Sequence, residues 1–99
     1  MEMELTRQAQ MVADFCGTFN NVYRILILWL LQENEEMAVN QIAKEIGATG
    51  QNASQHLRLM KDRGYLATRR DGTTIYYRLV QTPMLEAFDM LDHKPLLTQ

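Results

Sequence analysis

The sequence predicts a mainly α-helical fold with one small β-hairpin, in the order ααααββα. Apolar residues recur three and four positions apart through most of residues 4–63, which is the spacing of helical faces. From residue 65 the pattern changes to the alternation of a half-buried strand. With 99 residues, 46% hydrophobic and 22% charged, the chain has the length and composition of a single domain.

The first two helices differ in how much of their surface is apolar. Residues 4–17 carry one apolar face, and Gly17 is expected to end this helix. That face consists of Leu5, Ala9, Val12, Phe15 and Cys16. Residues 22–34 are apolar nearly all round, which predicts a central buried helix with Asn20 or Asn21 as its N-cap.

The third and fourth helices are short and closely spaced. The third has its apolar positions at Val39, Ile42, Ala43 and Ile46. Gly47 is placed to end it, and Thr49 to cap the next helix. The fourth has its inward positions at Ala53, Leu57 and Met60, and Gly64 follows it as a stop. This spacing is typical of a helix-turn-helix, here residues 39–63.

Residues 65–80 predict a β-hairpin after the two short helices. Asp71 and Gly72 are expected to supply its turn. Residues 75–80 are rich in β-branched and aromatic side chains and form the return strand. A helix-turn-helix followed by such a hairpin is a winged helix-turn-helix, with the hairpin as the wing.

A last helix is predicted over residues 83–93, with Pro83 in its first turn. Its apolar face would be formed by Leu85, Phe88 and Leu91. Residues 94–99 show no clear period and form a tail.

The charged residues are distributed unevenly, although the formal net charge is only −2. Residues 50–80 hold six basic and two acidic side chains, a net charge of +4. Residues 1–49 carry a net −4, and residues 81–99 a net −2. Because phosphate contacts need Lys and Arg on one surface, the positive segment predicts a DNA-binding face on the fourth helix and the wing.

The sequence lacks the features of an exported, membrane or catalytic protein. A single cysteine, Cys16, cannot form an intramolecular disulfide, and the start of the chain is polar and acidic. The longest apolar run, residues 25–31, is too short to span a membrane. No nucleophile–base pair, paired carboxylates or phosphate loop indicates an enzyme. We therefore expect a cytoplasmic protein that is not an enzyme.

Six short segments share the residue types and spacing of one known family. They are YRILIL at 23–28, VNQIA at 39–43, SQHLRLM at 54–60, GYL at 64–66, RRDG at 69–72 and IYYRL at 75–79. In these segments the chain resembles the ArsR-type winged helix-turn-helix repressors, which are small metal- and stress-sensing regulators of bacteria. The resemblance implies a homodimer through the first and last helices, residues 1–19 and 83–93, which represses transcription from a palindromic operator until an inducer arrives.

The fourth helix carries the residues expected to bind DNA. Gln and Asn can contact adenine edges, Arg guanine, and Ser either base. The predicted base-reading residues are Gln51, Ser54 and Gln55, followed by Asn52. Thr49 and Gly50 place the helix N-terminus near a phosphate, and Arg58 is left open between a DNA contact and ordinary surface. On the wing, the expected contacts with phosphate or the minor groove are Arg69, Arg70, Thr73 and Thr74.

The sequence does not identify the inducer. The family's Cys-x-Cys pair would fall at Ala38 and Asn40, so thiolate capture is excluded there. Asp89, Asp92 and His93 are favoured as a solvated acidic helix end over a metal site. No metal or cofactor is predicted, and a small-molecule or redox inducer stays open.

Three further side chains, Cys16, His56 and Arg24, could have either a structural or a functional role. Cys16 is expected to be a small buried side chain rather than a redox group. From the resembling family's motif, His56 is expected to pack or to hydrogen-bond to the backbone beside the DNA face rather than to bind a metal. Arg24 is expected to form a partly buried ion pair with a carboxylate.

A winged-helix module that assembles with other proteins is the alternative function. Such a module would more often expose an apolar face on the fourth helix. This helix instead offers Gln51, Asn52 and Gln55 beside a basic wing. The sequence therefore favours a DNA-binding regulator.

Overall fold

The computed structural model describes residues 2–83 and residue 85. Within them, the helices are α1 (Glu2–Thr18), α2 (Val22–Glu33), α3 (Val39–Ile46) and α4 (Gly50–Asp62). The strands are β1 (Met37–Ala38), β2 (Leu66–Asp71) and β3 (Thr74–Leu79). The predicted winged helix-turn-helix is confirmed, with one strand more than the sequence predicts.

Local hydrogen bonds and one glycine set the ends of the helices around the turn. The side chain of Asn21, not of Asn20, caps α2 by accepting from the N–H of Arg24 at 3.2 Å. Gly47 ends α3 in the left-handed conformation, with φ at 72°, as its position predicts. These are short-range effects, which is why the sequence alone locates the end of α3 and limits the cap of α2 to two neighbouring asparagines.

The strand β1 is the element that the sequence does not predict. It pairs antiparallel with β3, so that β3 lies between β1 and β2. In this register Met37 faces Tyr77, and Ala38 faces Tyr76. Two residues are too few to show the alternation of a strand. Through β1 the segment before α3 is joined to the wing.

Two predicted boundaries shift by one residue. The helix α1 continues past Gly17 to Thr18, so Gly17 is not its stop. Asp71 belongs to β2, where it pairs with Thr74, and the hairpin loop is therefore residues 72–73 rather than 71–72. Gly72 has φ at 64°, a backbone conformation that suits glycine in a two-residue hairpin loop.

The core lies where α2, α3, α4 and the sheet meet. Its fully buried side chains include Ile27, Leu28, Ile42, Leu57 and Met60. The members from α3 and α4 are positions that the helical period assigns inward. Leu85 is only 2% exposed and joins this core. Apart from residues 83 and 85, the predicted last helix and the tail lie outside the described residues.

The helix α1 covers the core with only part of its predicted apolar face. Phe15 is buried, with its ring centroid 4.8 Å from that of Phe19. Leu5 and Val12 are instead 52% and 47% exposed. Cys16 is exposed too, so the prediction that it is buried is wrong for the single chain. It follows Phe15 directly, and one helical step of about 100° turns it away from the core.

Candidate nucleic-acid interface

The helix α4 separates a buried face from a polar face. Ala53, Leu57 and Met60 are fully buried, as predicted. The predicted DNA-binding residues around this helix are exposed, except Ser54, which is half-buried. The exposed ones are Thr49, Gly50, Gln51, Asn52, Gln55 and Arg58. The fold thus presents amide and guanidinium groups on the face of α4 that the core does not use.

The N-terminus of α4 is open to an anion. Thr49 caps it by accepting at Oγ1 from the N–H of Asn52 at 3.1 Å. The N–H groups of Gly50 and Gln51 precede the first intrahelical bonds and lie at the positive end of the helix dipole. A Cβ at Gly50 would lie 3.8 Å from Oδ1 of Asn40, an ordinary contact. Packing inside the chain therefore does not require this glycine.

His56 joins α4 to α2. Nε of Arg24 donates to its Nδ1 at 3.2 Å, and the ring centroid of Tyr23 lies 5.5 Å from its own. Because Nδ1 accepts, the imidazole is neutral with its proton on Nε2. Burial, and secondly the Arg24 cation, lower the pKa of His56 below the ordinary 6.5. His56 thus packs between α2 and α4, as predicted, but its hydrogen bond joins it to a side chain and not to the backbone.

Arg24 and Thr18 connect α1, α2 and α4. Nη1 of Arg24 donates to the carbonyl of Thr18 at 3.1 Å, and Nη1 of Arg63 donates to Oγ1 of Thr18 at 3.0 Å. The described partners of Arg24 are therefore an imidazole and a carbonyl, in place of the predicted carboxylate. Thr18 is fully buried, and its hydroxyl donates to the carbonyl of Asp14 at 2.9 Å. These bonds hold α4 near its middle and at its end.

Lowering the pH from about 7.5 to about 5.5 is expected to lower the free energy of unfolding through His56. The fold disfavours the proton on this imidazole, whereas the unfolded chain binds it with the ordinary pKa of 6.5. Just below pH 6.5 the unfolded state binds more protons than the folded state, so the free energy of unfolding decreases as the pH is lowered. The decrease ends below the lowered pKa, where His56 is protonated in both states. Urea unfolding at stepped pH measures the change.

The two histidines of the chain provide a matched control for this prediction. His56→Gln keeps a hydrogen-bond acceptor for Arg24 and should flatten the pH dependence. His93→Gln removes the other imidazole of the chain and should leave the dependence in place. Loss of the dependence in His93→Gln alone would contradict the assignment to His56.

The base of the wing holds an ion pair that the sequence does not predict. The two oxygens of Glu36 accept from Nε of Arg69 at 3.2 and 3.1 Å, and Nη2 of Arg69 also bonds to Oε1. These hydrogen bonds lower the pKa of Glu36 and raise that of Arg69. The guanidinium carbon lies 4.6 Å from the ring centre of Tyr76, which faces Arg69 in the β2–β3 register.

The other predicted wing residues are exposed on the hairpin. Arg70 faces Ile75 in the register, Thr74 faces Asp71, and Thr73 lies in the loop. Within residues 2–83 and 85, no hydrogen bond or ion pair engages the side chains of Arg70, Thr73 or Thr74. These groups are open to an external partner.

The two side chains that contact Arg69, Glu36 and Tyr76, were not predicted from the sequence. With the loop at residues 72–73, the third pair of facing residues from the loop is Arg69 and Tyr76. The correct hairpin register would therefore have predicted this contact. Glu36 is 33 residues away from Arg69, and no local pattern connects the two.

The part of the chain that the structure describes contains neither a cluster of metal-ligating side chains nor a helix that could span a membrane. No group of three or more His, Cys, Asp or Glu side chains there could hold a metal ion. Asp89, Asp92 and His93 lie outside it. None of its helices is long and apolar enough to cross a membrane.

Comparison with known proteins assigns the arrangement of α2, α3, α4 and the wing to a family. A model described as the MarR family matches residues 21–74, which run from the cap of α2 to the first residue of β3. The chain belongs to the MarR family. This MarR-family chain is accordingly a winged-helix transcriptional regulator and not an enzyme, as the sequence predicts.

Three relatives show the extent of the similarity. The HTH-type transcriptional regulator KmtR of Mycobacterium tuberculosis is 38% identical over 73% of this MarR-family chain, but the match spans only 55% of KmtR. The nodulation protein NolR of Rhizobium meliloti is 32% identical over 95% of the chain and 85% of its own length. The homodimeric winged helix-turn-helix DNA-binding domain Mb0332 of Mycobacterium bovis is 31% identical with a TM-score of 0.74, covering 87% of this chain and 79% of that one.

Proposed function

We propose that this MarR-family chain is a homodimeric repressor of the ArsR type, which binds a palindromic operator in the cytoplasm. One observation carries the proposal: the face of α4 opposite the core is polar, with Gln51, Asn52, Gln55 and Arg58 exposed. A winged-helix module for protein assembly, which the same fold could also serve, would more often expose apolar groups on that face. The six segments that resemble ArsR-type repressors lie in the same α2–wing region.

In this function α4 reads bases while its flanks and the wing contact phosphates. Gln51, Ser54, Gln55 and Asn52 are the base-reading set, because amide groups fit the adenine edge and a hydroxyl serves either base. The open N–H groups at the start of α4 are suited to one phosphate. The remaining phosphate or minor-groove contacts are assigned to Arg58, Arg69, Arg70, Thr73 and Thr74.

The homodimer is supported by the apolar side chains that α1 leaves uncovered. Met3, Leu5, Met11 and Val12 are 82%, 52%, 48% and 47% exposed, which is unusual for a helix that ends in the core. A second copy packed on α1 and on the last helix would cover them. A two-fold dimer presents two copies of α4, which is why the operator would be palindromic.

Binding to DNA from the chain's own promoter is expected to weaken steeply with salt. Each neutralised phosphate should contribute about −0.9 to the slope of log affinity against log salt concentration. Fluorescence anisotropy at stepped salt measures the slope, and footprinting should show two half-sites about 10 base pairs apart. A reporter gene behind this operator should be transcribed less when the protein is present.

The outcomes separate the two functions. Binding that is absent or independent of salt would favour the protein-assembly module. Repeating the footprint with metals, oxidants and thiols searches for the small-molecule or redox inducer, because an inducer releases the protected half-sites.

A further inference from the structure

The guanidinium of Arg69 is held on two sides. Glu36 takes the edge formed by Nε and Nη2, and the ring of Tyr76 lies under the group, 4.6 Å from its central carbon. A guanidinium has five N–H donors in one plane. The edge that carries Nη1 is engaged by no bond within residues 2–83 and 85. The Arg69 side chain is half exposed, at 50%.

We propose that Glu36 is a positioning residue for DNA binding: it orients Arg69 so that the Nη1 edge meets a phosphate of the duplex backbone. The inference rests on the proposed function and deepens it. The ring of Tyr76 packs against one face of the Arg69 guanidinium and restricts it further. A planar donor edge with one open side matches the two oxygens that a phosphate presents.

The local charge is compatible with a phosphate despite the carboxylate. Arg78 lies close enough for its charge to lower the pKa of Glu36 together with Arg69. Asp71 is a second carboxylate whose charge acts on Arg69. With Arg70, the neighbour of Arg69 in β2, this part of the wing holds three guanidinium groups and two carboxylates and keeps a net positive charge.

Positioning and repulsion by Glu36 have opposite effects on DNA binding. A free arginine side chain has many rotamers and loses that freedom when it binds a phosphate, whereas one that Glu36 already holds loses less. The same carboxylate repels the phosphate whether or not Arg69 is present. Only the positioning effect depends on Arg69, so a double-mutant cycle separates the two.

The experiment measures binding of a short mixed-sequence duplex to four full-length variants beside the wild type. They are Glu36→Gln, Arg69→Gln, the double variant Glu36→Gln/Arg69→Gln, and Glu35→Gln. Glu35 is the matched control, an exposed carboxylate next to Glu36 that forms no ion pair in the described residues. Anisotropy at stepped salt gives the affinity and the slope, and circular dichroism melting confirms that each variant is folded.

Arg69→Gln should weaken binding and reduce the salt slope by about 0.9, the contribution of one phosphate. Glu36→Gln should weaken binding by about 1.5- to 5-fold, which corresponds to the range measured for one surface ion pair. In the Arg69→Gln background, Glu36→Gln should leave the affinity unchanged or raise it. Glu35→Gln should not weaken binding, because it removes only repulsion.

Equal effects of Glu36→Gln in both backgrounds, or a Glu36→Gln effect matching that of Glu35→Gln, would overturn the positioning role. Wild-type affinity and salt slope in Arg69→Gln would also overturn the positioning role. The proposed function would still stand in that case, because the wild type binds DNA in a salt-dependent way. Failure of the wild type itself to bind any duplex in a salt-dependent way would instead overturn the proposed function, and the inference with it.

Discussion

Gln55→Ala is expected to weaken binding to the operator by about 1–3 kcal/mol while leaving the affinity for mixed-sequence DNA nearly unchanged. Gln55 is exposed on α4, and the inward neighbours Ala53 and Leu57 are fully buried. Its amide can donate to and accept from one adenine edge at once, a bond that contributes only where the base is correct. Competition between operator and mixed-sequence duplexes measures the difference.

A second glutamine provides the control for that measurement. Gln81 is exposed in the segment that follows β3, outside the helix-turn-helix and the wing. Gln81→Ala should therefore change neither affinity. Equal losses on both duplexes for Gln55→Ala would show that Gln55 contacts the backbone or supports the fold, and would contradict base reading.

Leu57→Ala is expected to lower the free energy of unfolding by about 2–5 kcal/mol. Leu57 has no exposed surface and lies on the face of α4 that packs into the core. Truncation removes its buried methyl groups and leaves a cavity that neighbouring side chains fill only in part. Urea unfolding measures the loss, with all variants at one protein concentration because a dimer's stability depends on it.

The same helix offers a comparison for the core substitution. Leu59 is half-buried, so Leu59→Ala should cost clearly less than Leu57→Ala. Similar losses for the two variants would contradict the assignment of Leu57 to the tightly packed face. Because Gln55 and Leu57 lie on opposite faces, one substitution should affect DNA binding and the other stability.

Much of the fold follows from short-range patterns in the sequence. The capping of α4 by Thr49 and the end of α3 at Gly47 depend on residues a few positions apart, and both predictions are confirmed. The inward positions of α4 follow from the helical period alone. Cys16 shows where this kind of prediction fails. The helical period places it next to the buried Phe15, but it does not show how much of the apolar face of α1 the core covers.

The exposed polar positions on α4 were predictable because they are the positions left over once the core face is assigned. Arg69 was predictable as a cation on the wing. Its ion pair was not, because its partner Glu36 is 33 residues away in the sequence. The same holds for Arg24 and His56, 32 residues apart, and for Thr18 and Arg63, 45 apart. These contacts depend on how separate elements pack against each other.

The sequence by itself determined the helices α1 to α4, the inward faces of α3 and α4, the wing and the polar surface of α4. Periodicity and capping are local, and a side chain's place on a helix follows from its spacing to neighbours three and four positions away. Only the tertiary structure decided which charges pair, which face of α1 stays open, and that β1 joins the wing. Hydrogen bonds and ion pairs act over a few ångströms, so residues distant in sequence interact only where the packed core brings them together.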